Sequence, residues 1–311
     1  MELTLPQFQV SAGKVLMLLF FSTVIYGLTE MLYLHFRRKV ARMREYRTTA
    51  SAVVIALLIS IGITMVYGRV NTAIIAVGTA RLALFKTDLS WYWWLYGLLV
   101  YEFWYFVQHY LAHKVRFLWC IHSPHHAPES MNMFVGFNHS FIESLFYMPF
   151  FLGFFPVLCG VRPEIVLVCN IVDAIWGSMI HISDHVLPGR LGFLERFMQT
   201  PSYHRAHHAR NVRYMDTNYT SITLFWDYVF GTRQPLHDAD PAQYGITRPV
   251  NTGSYPDTHF GEFRSLWQDI RHAPGLKNKL RYLFMPPGWN HSGNSQTATA
   301  LKRQMPGIAV S

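Results

Sequence analysis

Ten of the sixteen histidines in this 311-residue chain fall into four short clusters, which constrain the fold more than any other feature. Two clusters are HxxxH pairs and two are HxxHH triplets. On an α-helix these positions share one face, with Cβ atoms about 5–6 Å apart. The clusters are His109 and His113; His122, His125 and His126; His181 and His185; and His204, His207 and His208. Each cluster is therefore predicted to lie on a helix that directs its imidazoles to a common position.

Clustered neutral imidazoles are ligands for iron, zinc and copper alike. Ten nitrogens exceed the ligand set of a single tetrahedral zinc ion and suit two metal ions, and the HxxHH spacing allows adjacent histidines to serve different metals. A zinc-dependent hydrolase and a non-catalytic metal-binding protein remain as alternatives. A hydrolase of the HExxH kind needs a general-base carboxylate in its motif, and no HExxH occurs in the sequence. The pattern favours a redox-active centre of two metal ions.

Long apolar runs cover residues 15–35, 50–67, 91–111, 141–159 and 164–182. A stretch of about 20 apolar residues suffices to cross a bilayer. We therefore predict an all-α integral membrane bundle with about four spanning helices and a histidine-rich helical cap. Glu30, inside the first run, should face other helices rather than lipid. Residues 68–90 are mixed in character, and their sequence is compatible with a span or with a surface segment.

The net charge of +9 is concentrated in residues 37–47, directly after the first apolar run. Such a position is typical of a cytoplasmic loop beside a membrane. A nucleic-acid-binding protein would instead carry its basic residues around an aromatic platform or a recognition helix, so no nucleic-acid partner is expected. Spans that alternate from this loop bring all four histidine clusters to the cytoplasmic face, which predicts a multi-pass protein with one cytoplasmic site.

The chain divides into four regions by composition. Residues 1–90 are predicted to be membrane anchor helices, 91–232 the histidine-bearing catalytic domain, 233–290 a cytoplasmic cap, and 291–311 a flexible tail. Three cysteines are too few for a disulfide framework or a four-cysteine iron–sulfur cluster.

Three further side chains are candidates for hydrogen bonds to the outer nitrogens of the histidines. They are Asp184 beside His185, His139, and Glu102 in the apolar run before His109. Ser202 is expected to cap a helix that starts near Tyr203.

Between Tyr101 and Trp289, the four clusters in this order resemble the fatty acid hydroxylase / sterol desaturase superfamily of membrane di-iron enzymes. The most specific part is the segment Thr200–Asn211, followed by Asn218-Tyr219 and Trp226–Thr232. Residues 244–251 and 286–289 are similar to those of alkylglycerol monooxygenases and bacterial sterol-desaturase-like proteins.

The resemblance implies that all ten clustered histidines bind two iron ions, with zinc possible in a purified form. It implies that a lipid from the bilayer is hydroxylated or desaturated with O₂ and an external reductant. Because the sequence shows no cytochrome b5-like, flavin-binding or cysteine-cluster segment, electrons are expected from a separate electron-transfer protein. The alkylglycerol enzymes of animals lack the second histidine of the third pair, whereas His185 is present here. This difference implies a site nearer the fatty acid 2-hydroxylase pattern and puts pterin dependence in doubt.

Overall fold

The computed structural model describes residues 5–77, 84–85 and 87–305. Across these residues β-type pairing is limited to three isolated bridges, and the all-α prediction is confirmed. The helices are α1 (Leu5–Leu32), α2 (Met43–Val77), α3 (Trp91–Lys114), α4 (Arg116–His126), α5 (Phe155–Leu158), α6 (Pro163–Ile180), α7 (Pro201–His207), α8 (Phe225–Val229), α9 (Tyr255–His272), α10 (Gly275–Phe284) and α11 (Ala298–Arg303). Short 3₁₀-helices lie at Met133–Phe137 and Gly192–Arg196.

Two helical stretches of the described residues are long and apolar enough to cross a membrane, Met17–Arg38 and Pro163–Ile180. The run predicted at 141–159 forms a shorter apolar helix, Glu143–Leu158, with π-helical turns in its first two thirds. A bundle of about four spanning helices therefore stays a prediction. Residues 78–83 and 86, within the segment 68–90, lie outside the described residues.

The apolar core lies where α3 packs against α5, α6 and the π-helical turns before α5. It is built around Tyr101, Leu152, Ile165 and Cys169, all of which are buried. A Cβ atom at Gly97 would lie 2.4 Å from the Ile165 side chain, so this close approach of α3 and α6 needs glycine. This packing sets the relative position of two of the histidine-bearing segments.

The predicted cap packs directly on α4, the helix that carries the second histidine cluster. Cys120 of α4, Leu266 of α9 and Tyr282 of α10 form a second buried apolar cluster. The tail expected to be flexible from residue 291 onward contains helix α11, in which Lys302 is only 3% exposed. That part of the tail is therefore packed rather than loose, and residues 306–311 lie outside the described residues.

Glu30 of α1 is buried, as expected, and it connects α1 to the segments around the histidines. Its carboxylate accepts hydrogen bonds from the backbone N–H of Met133 at 2.6 Å and of Ser183 at 2.7 Å. The backbone at Ser183 leaves α6 just after His181. Glu30 therefore holds the turn that ends the third histidine segment.

Replacing Glu30 with leucine should destabilise the protein without touching a histidine. Two buried N–H groups would lose their acceptor, at about 1–3 kcal/mol each, so we expect the free energy of unfolding to fall by about 2–6 kcal/mol. The measurement is the thermal unfolding midpoint of the detergent-solubilised protein. Thr29→Val, at an exposed neighbouring position of α1, is the matched control. Equal midpoints for the two variants would contradict this role of Glu30.

Candidate metal centre

Nine of the ten predicted histidines converge in one buried region. Helix α3 carries His109 and His113 one turn apart, and α4 carries its triplet within its last two turns. His181 directly follows the last residue of α6, and His208 directly follows the last residue of α7. Each of the nine is at most 7% exposed. Helical spacing thus aims the clusters as the sequence predicts, and the packing of α3, α4, α6 and α7 joins them.

The nine imidazoles form two adjoining groups. In each group one nitrogen from every member lies within 4.8 Å of those of all the others. The first, which we call the five-histidine group, consists of His109, His113, His122, His126 and His207. The second, the four-histidine group, consists of His125, His181, His204 and His208. Two separate sets of ligand atoms are what a two-metal centre requires.

Each HxxHH triplet contributes to both groups. His125 and His126 are adjacent in sequence but belong to different groups. The same holds for His207 and His208. The rings of His126 and His208 stack across the boundary, with centroids 4.3 Å apart. Since successive residues of a helix point in directions about 100° apart, one short helix supplies ligands to two neighbouring positions.

Backbone carbonyls determine which nitrogen is available in the five-histidine group. The Nδ1–H of His109 donates to Tyr219 O at 2.9 Å, and that of His207 donates to Thr217 O at 2.7 Å. Because a carbonyl oxygen only accepts, the proton lies on Nδ1 and Nε2 carries the lone pair. The Nε2 atoms of His109, His113 and His207 are buried with no hydrogen-bond partner. Three unpartnered Nε2 atoms from α3 and α7, two of them with a lone pair fixed by this hydrogen bonding, fit a bound cation.

The four-histidine group gives the same indication. His125 and His181 donate their Nδ1 protons to Val135 O and Gly177 O, at 3.2 and 2.5 Å. Their Nε2 atoms lie 3.3 Å apart, so two lone pairs face each other. Burial, together with neighbouring histidines, holds the pKa of His125 and of His208 well below the ordinary value, which keeps both imidazoles neutral. A metal ion removes the repulsion between such nitrogens, and an all-imidazole set suits iron, zinc or copper.

The carbonyls that orient His109 and His207 belong to a tightly braced loop, residues 217–223. Asp227 accepts from the backbone N–H of Tyr219 and Thr220, at 2.8 and 3.0 Å. Asn218 has a positive φ of 57° and donates to Tyr203 O of α7 at 3.1 Å. The segments Asn218-Tyr219 and Trp226–Thr232 thus hold two histidines in their ligand tautomer. The amino-acid composition of these segments does not predict this role, because the contacts to the two histidines are made by backbone oxygens.

Glu102 acts on the same loop and touches none of the clustered histidines. Its buried carboxylate accepts from the backbone N–H of Ile222 and Thr223, the latter at 2.8 Å. It anchors the loop to α3. Glu102 therefore supports the loop that orients His109 and His207, whereas the sequence suggested a direct hydrogen bond to a histidine.

Glu143 is the functional carboxylate that the sequence analysis missed. It is 1% exposed, and it accepts from His122 Nδ1 at 2.6 Å and from His139 Nδ1 at 3.0 Å. His139 in turn stacks on His125, with centroids 4.2 Å apart and planes at 14°. His139 therefore lies beside the centre, as the sequence suggests. Glu143 contacts His122 of the five-histidine group directly and reaches His125 of the four-histidine group through His139. A signal existed, since Glu143 follows His139 by four residues.

His185 is the predicted ligand that the structure does not bring to the centre. It is exposed, and so is the neighbouring Asp184, whose described side-chain contact is a 3.4 Å hydrogen bond from Ser183. The prediction assumed a helix through both histidines of the pair, but α6 ends at Ile180 and the chain turns at Ser183. The described geometry therefore leaves His185 outside the two groups, and its role as a ligand stays a prediction.

Helix α7 also begins earlier than expected. Its first residue is Pro201 and the preceding residue, Thr200, occupies the cap position without a side-chain cap. Ser202 instead donates to the carboxylate of Glu195 at 2.7 Å. Ser202 therefore ties α7 to the segment before it rather than capping it.

Residues 94–232, which contain all nine converging histidines, match the sequence model of the fatty acid hydroxylase family. This histidine-bearing region is a fatty acid hydroxylase domain. An alkylglycerol monooxygenase from Xenopus tropicalis is 32% identical over 228 residues, which are 73% of this chain and 48% of the relative. The Homo sapiens alkylglycerol monooxygenase is 31% identical over 73% of this chain and 48% of its own length. An ornithine lipid hydroxylase, OlsE of Rhizobium tropici, is 30% identical over 50% of this chain and 46% of its own.

The chain spans about half the length of these relatives. No solved structure matches it. The family match covers the histidine-bearing domain, and the geometry above gives that domain a metal-binding site of buried histidines.

Proposed function

We propose that the protein is a membrane di-iron oxygenase that uses O₂ and an external electron donor to hydroxylate, or desaturate, a C–H bond of a lipid. The observation that carries this proposal is the convergence of nine buried histidines as two adjoining groups inside a fatty acid hydroxylase domain. The activities for which the relatives are named, alkylglycerol monooxygenase and ornithine lipid hydroxylase, agree with an oxygenase that acts on lipids.

The chain's own residues supply the metal-binding set and its rigidity. His109, His113, His122, His126 and His207 would hold one ion, and His125, His181, His204 and His208 the other. Two iron ions bound there would supply O₂ activation and C–H oxidation. Hydroxylation consumes one O₂, two electrons and two protons and yields the alcohol and one water. We assign the delivery of the electrons to a separate reductant or electron-transfer protein.

The residues around the histidines serve this chemistry by holding protons and excluding water. Thr217 O and Tyr219 O keep the Nδ1 protons of His207 and His109 in place, so the ligand nitrogens need no rearrangement when a metal binds. The basic segment at 37–47 and the apolar helices support a multi-pass protein whose metal centre faces the cytoplasm.

Metal content and isotope incorporation test the proposal together. Protein purified without oxygen should contain about two iron ions per chain. Membranes that contain it, supplied with reductant and ¹⁸O₂, should yield lipids heavier by one ¹⁸O atom or lighter by two hydrogens in mass spectrometry. One zinc ion per chain would favour a hydrolase. Two bound irons with neither lipid product would favour a metal-binding protein without oxygenase activity.

A further inference from the structure

A cavity of about 510 Å³ opens onto the metal centre between the cap and the ends of α3, α4 and α7. His113, His126 and His207 of the five-histidine group and His208 of the four-histidine group all form part of its wall. A molecule that fills this cavity would therefore contact both groups. The volume lies within the range of about 300–1,000 Å³ that is usual for small-molecule sites and far exceeds the needs of O₂.

Three arginines from different segments line the same cavity, namely Arg116, Arg210 and Arg248. Its two carboxylates are already committed to other cations. Asp216 binds Lys114 Nζ at 2.6 Å, and Glu262 accepts from Arg248 Nε at 2.8 Å. Because arginines outnumber carboxylates and the carboxylates are paired, the wall retains positive charge.

Two of these arginines keep unused hydrogen-bonding capacity. Arg116 is 9% exposed; it donates to Ser265 Oγ at 3.2 Å and lies 3.5 and 3.6 Å from carboxylate oxygens of Glu262 and Asp269, but its Nε is buried without a partner. Arg210 is exposed, and among the described residues its guanidinium makes no hydrogen bond or ion pair; only its backbone N–H does, to Gln243 O at 2.7 Å. Arg248 is fully used by Glu262 and Asp257. The capacity to bind an added anion therefore resides in Arg210 and Arg116.

We propose that this cavity binds the anionic group, a phosphate or carboxylate, of an amphiphilic ligand through Arg210 and Arg116. Guanidinium groups bind such oxyanions through paired, charge-assisted hydrogen bonds. Apolar side chains, including Trp119, Ile246 and Leu301, complete the wall and suit the carbon chain next to the charged group. The assignment rests on the proposed function, since it makes the ligand the polar end of the lipid substrate. Beyond that function, the assignment specifies that the polar end of the lipid is negatively charged and that Arg210 and Arg116 recognise it.

Binding of short-chain lipids to the full-length protein in detergent tests this site. The probes are dioctanoyl phosphatidic acid, the uncharged dioctanoylglycerol, and inorganic phosphate, measured by titration calorimetry at one ionic strength. We expect phosphatidic acid to bind at least about tenfold more tightly than dioctanoylglycerol. Arg210→Gln should weaken phosphatidic acid binding by about tenfold and leave dioctanoylglycerol unchanged. The substitution is at an exposed side chain, and its thermal midpoint should equal that of the wild type.

Arg281→Gln, at an exposed position of α10 outside the cavity, is the matched control and should change neither affinity. Loss of phosphate binding in Arg210→Gln, with phosphatidic acid no tighter than phosphate, would identify a free anion as the occupant of the same site. Equal affinities of wild type and Arg210→Gln for every probe, or no preference for phosphatidic acid, would overturn the proposal. The assay needs no turnover, so the anion site and the oxygenase proposal can fail separately.

Discussion

His125→Ala and His207→Ala are each expected to lose metal, whereas His185→Ala keeps the wild-type content. His125→Ala leaves three imidazoles in the four-histidine group, and His207→Ala leaves four in the five-histidine group. We therefore expect the larger loss from His125→Ala. Iron per chain, measured by mass spectrometry of protein purified without oxygen, checks this order. Lipid oxidation should fall by at least about 100-fold in both, because even residues that only orient a ligand contribute about 10–100-fold.

The control at His185 separates the geometry from the sequence motif. If every clustered histidine were a ligand, His185→Ala would lose as much metal as His125→Ala. With His185 exposed and beyond the end of α6, it should change metal content little. Full metal content in His207→Ala, or a loss in His185→Ala equal to that in His125→Ala, would contradict the two-group arrangement.

Local spacing predicted the histidine geometry wherever a helix continued through the cluster. His109 with His113, and the triplets of α4 and α7, meet this condition, and the intervals of three and four residues brought them to one side. The pair His181 and His185 does not meet this condition, because α6 ends at Ile180. The backbone after α6 turns away because Ser183 N–H donates to Glu30, a residue 153 positions earlier. A contact that distant leaves no trace in the local pattern.

The same distinction explains which supporting residues the sequence revealed. The sequence suggested that Asp184 and Glu102 accept hydrogen bonds from the histidines, but Asp184 is exposed and Glu102 binds the backbone of the loop 217–223. The groups that orient His109 and His207 are backbone carbonyls, which every residue possesses and no composition singles out. The order of the histidines was enough to suggest the family, which the match of residues 94–232 confirms, whereas the shape of the cap-side cavity depended on how residues 245–301 fold back onto α4.

Glu143→Gln should weaken metal binding although Glu143 belongs to neither histidine group. Its carboxylate accepts from His122 and His139, at 2.6 and 3.0 Å, and His139 supports the His125 ring by stacking. A glutamine offers one acceptor oxygen where the carboxylate offers two, so at least one imidazole loses its orienting partner. Residues in this position contribute about 10–100-fold to metal affinity, and we expect a loss in that range with the stoichiometry at saturation unchanged. The measurement is the iron dissociation constant from competition with a chelator under anaerobic conditions.

Two further variants distinguish orientation of the ligands from support of the fold. Glu143→Asp keeps both acceptor oxygens on a shorter side chain and should retain more affinity than Glu143→Gln. Glu164→Gln removes a carboxylate that binds Arg162 at the start of α6, away from the histidines, and should leave the dissociation constant unchanged. If Glu143→Gln lowers the thermal midpoint of the metal-free protein but binds iron as tightly as wild type, Glu143 serves folding alone. A loss of affinity that Glu143→Asp partly restores assigns it to the metal centre, because aspartate offers His122 and His139 the two acceptor oxygens that glutamine lacks.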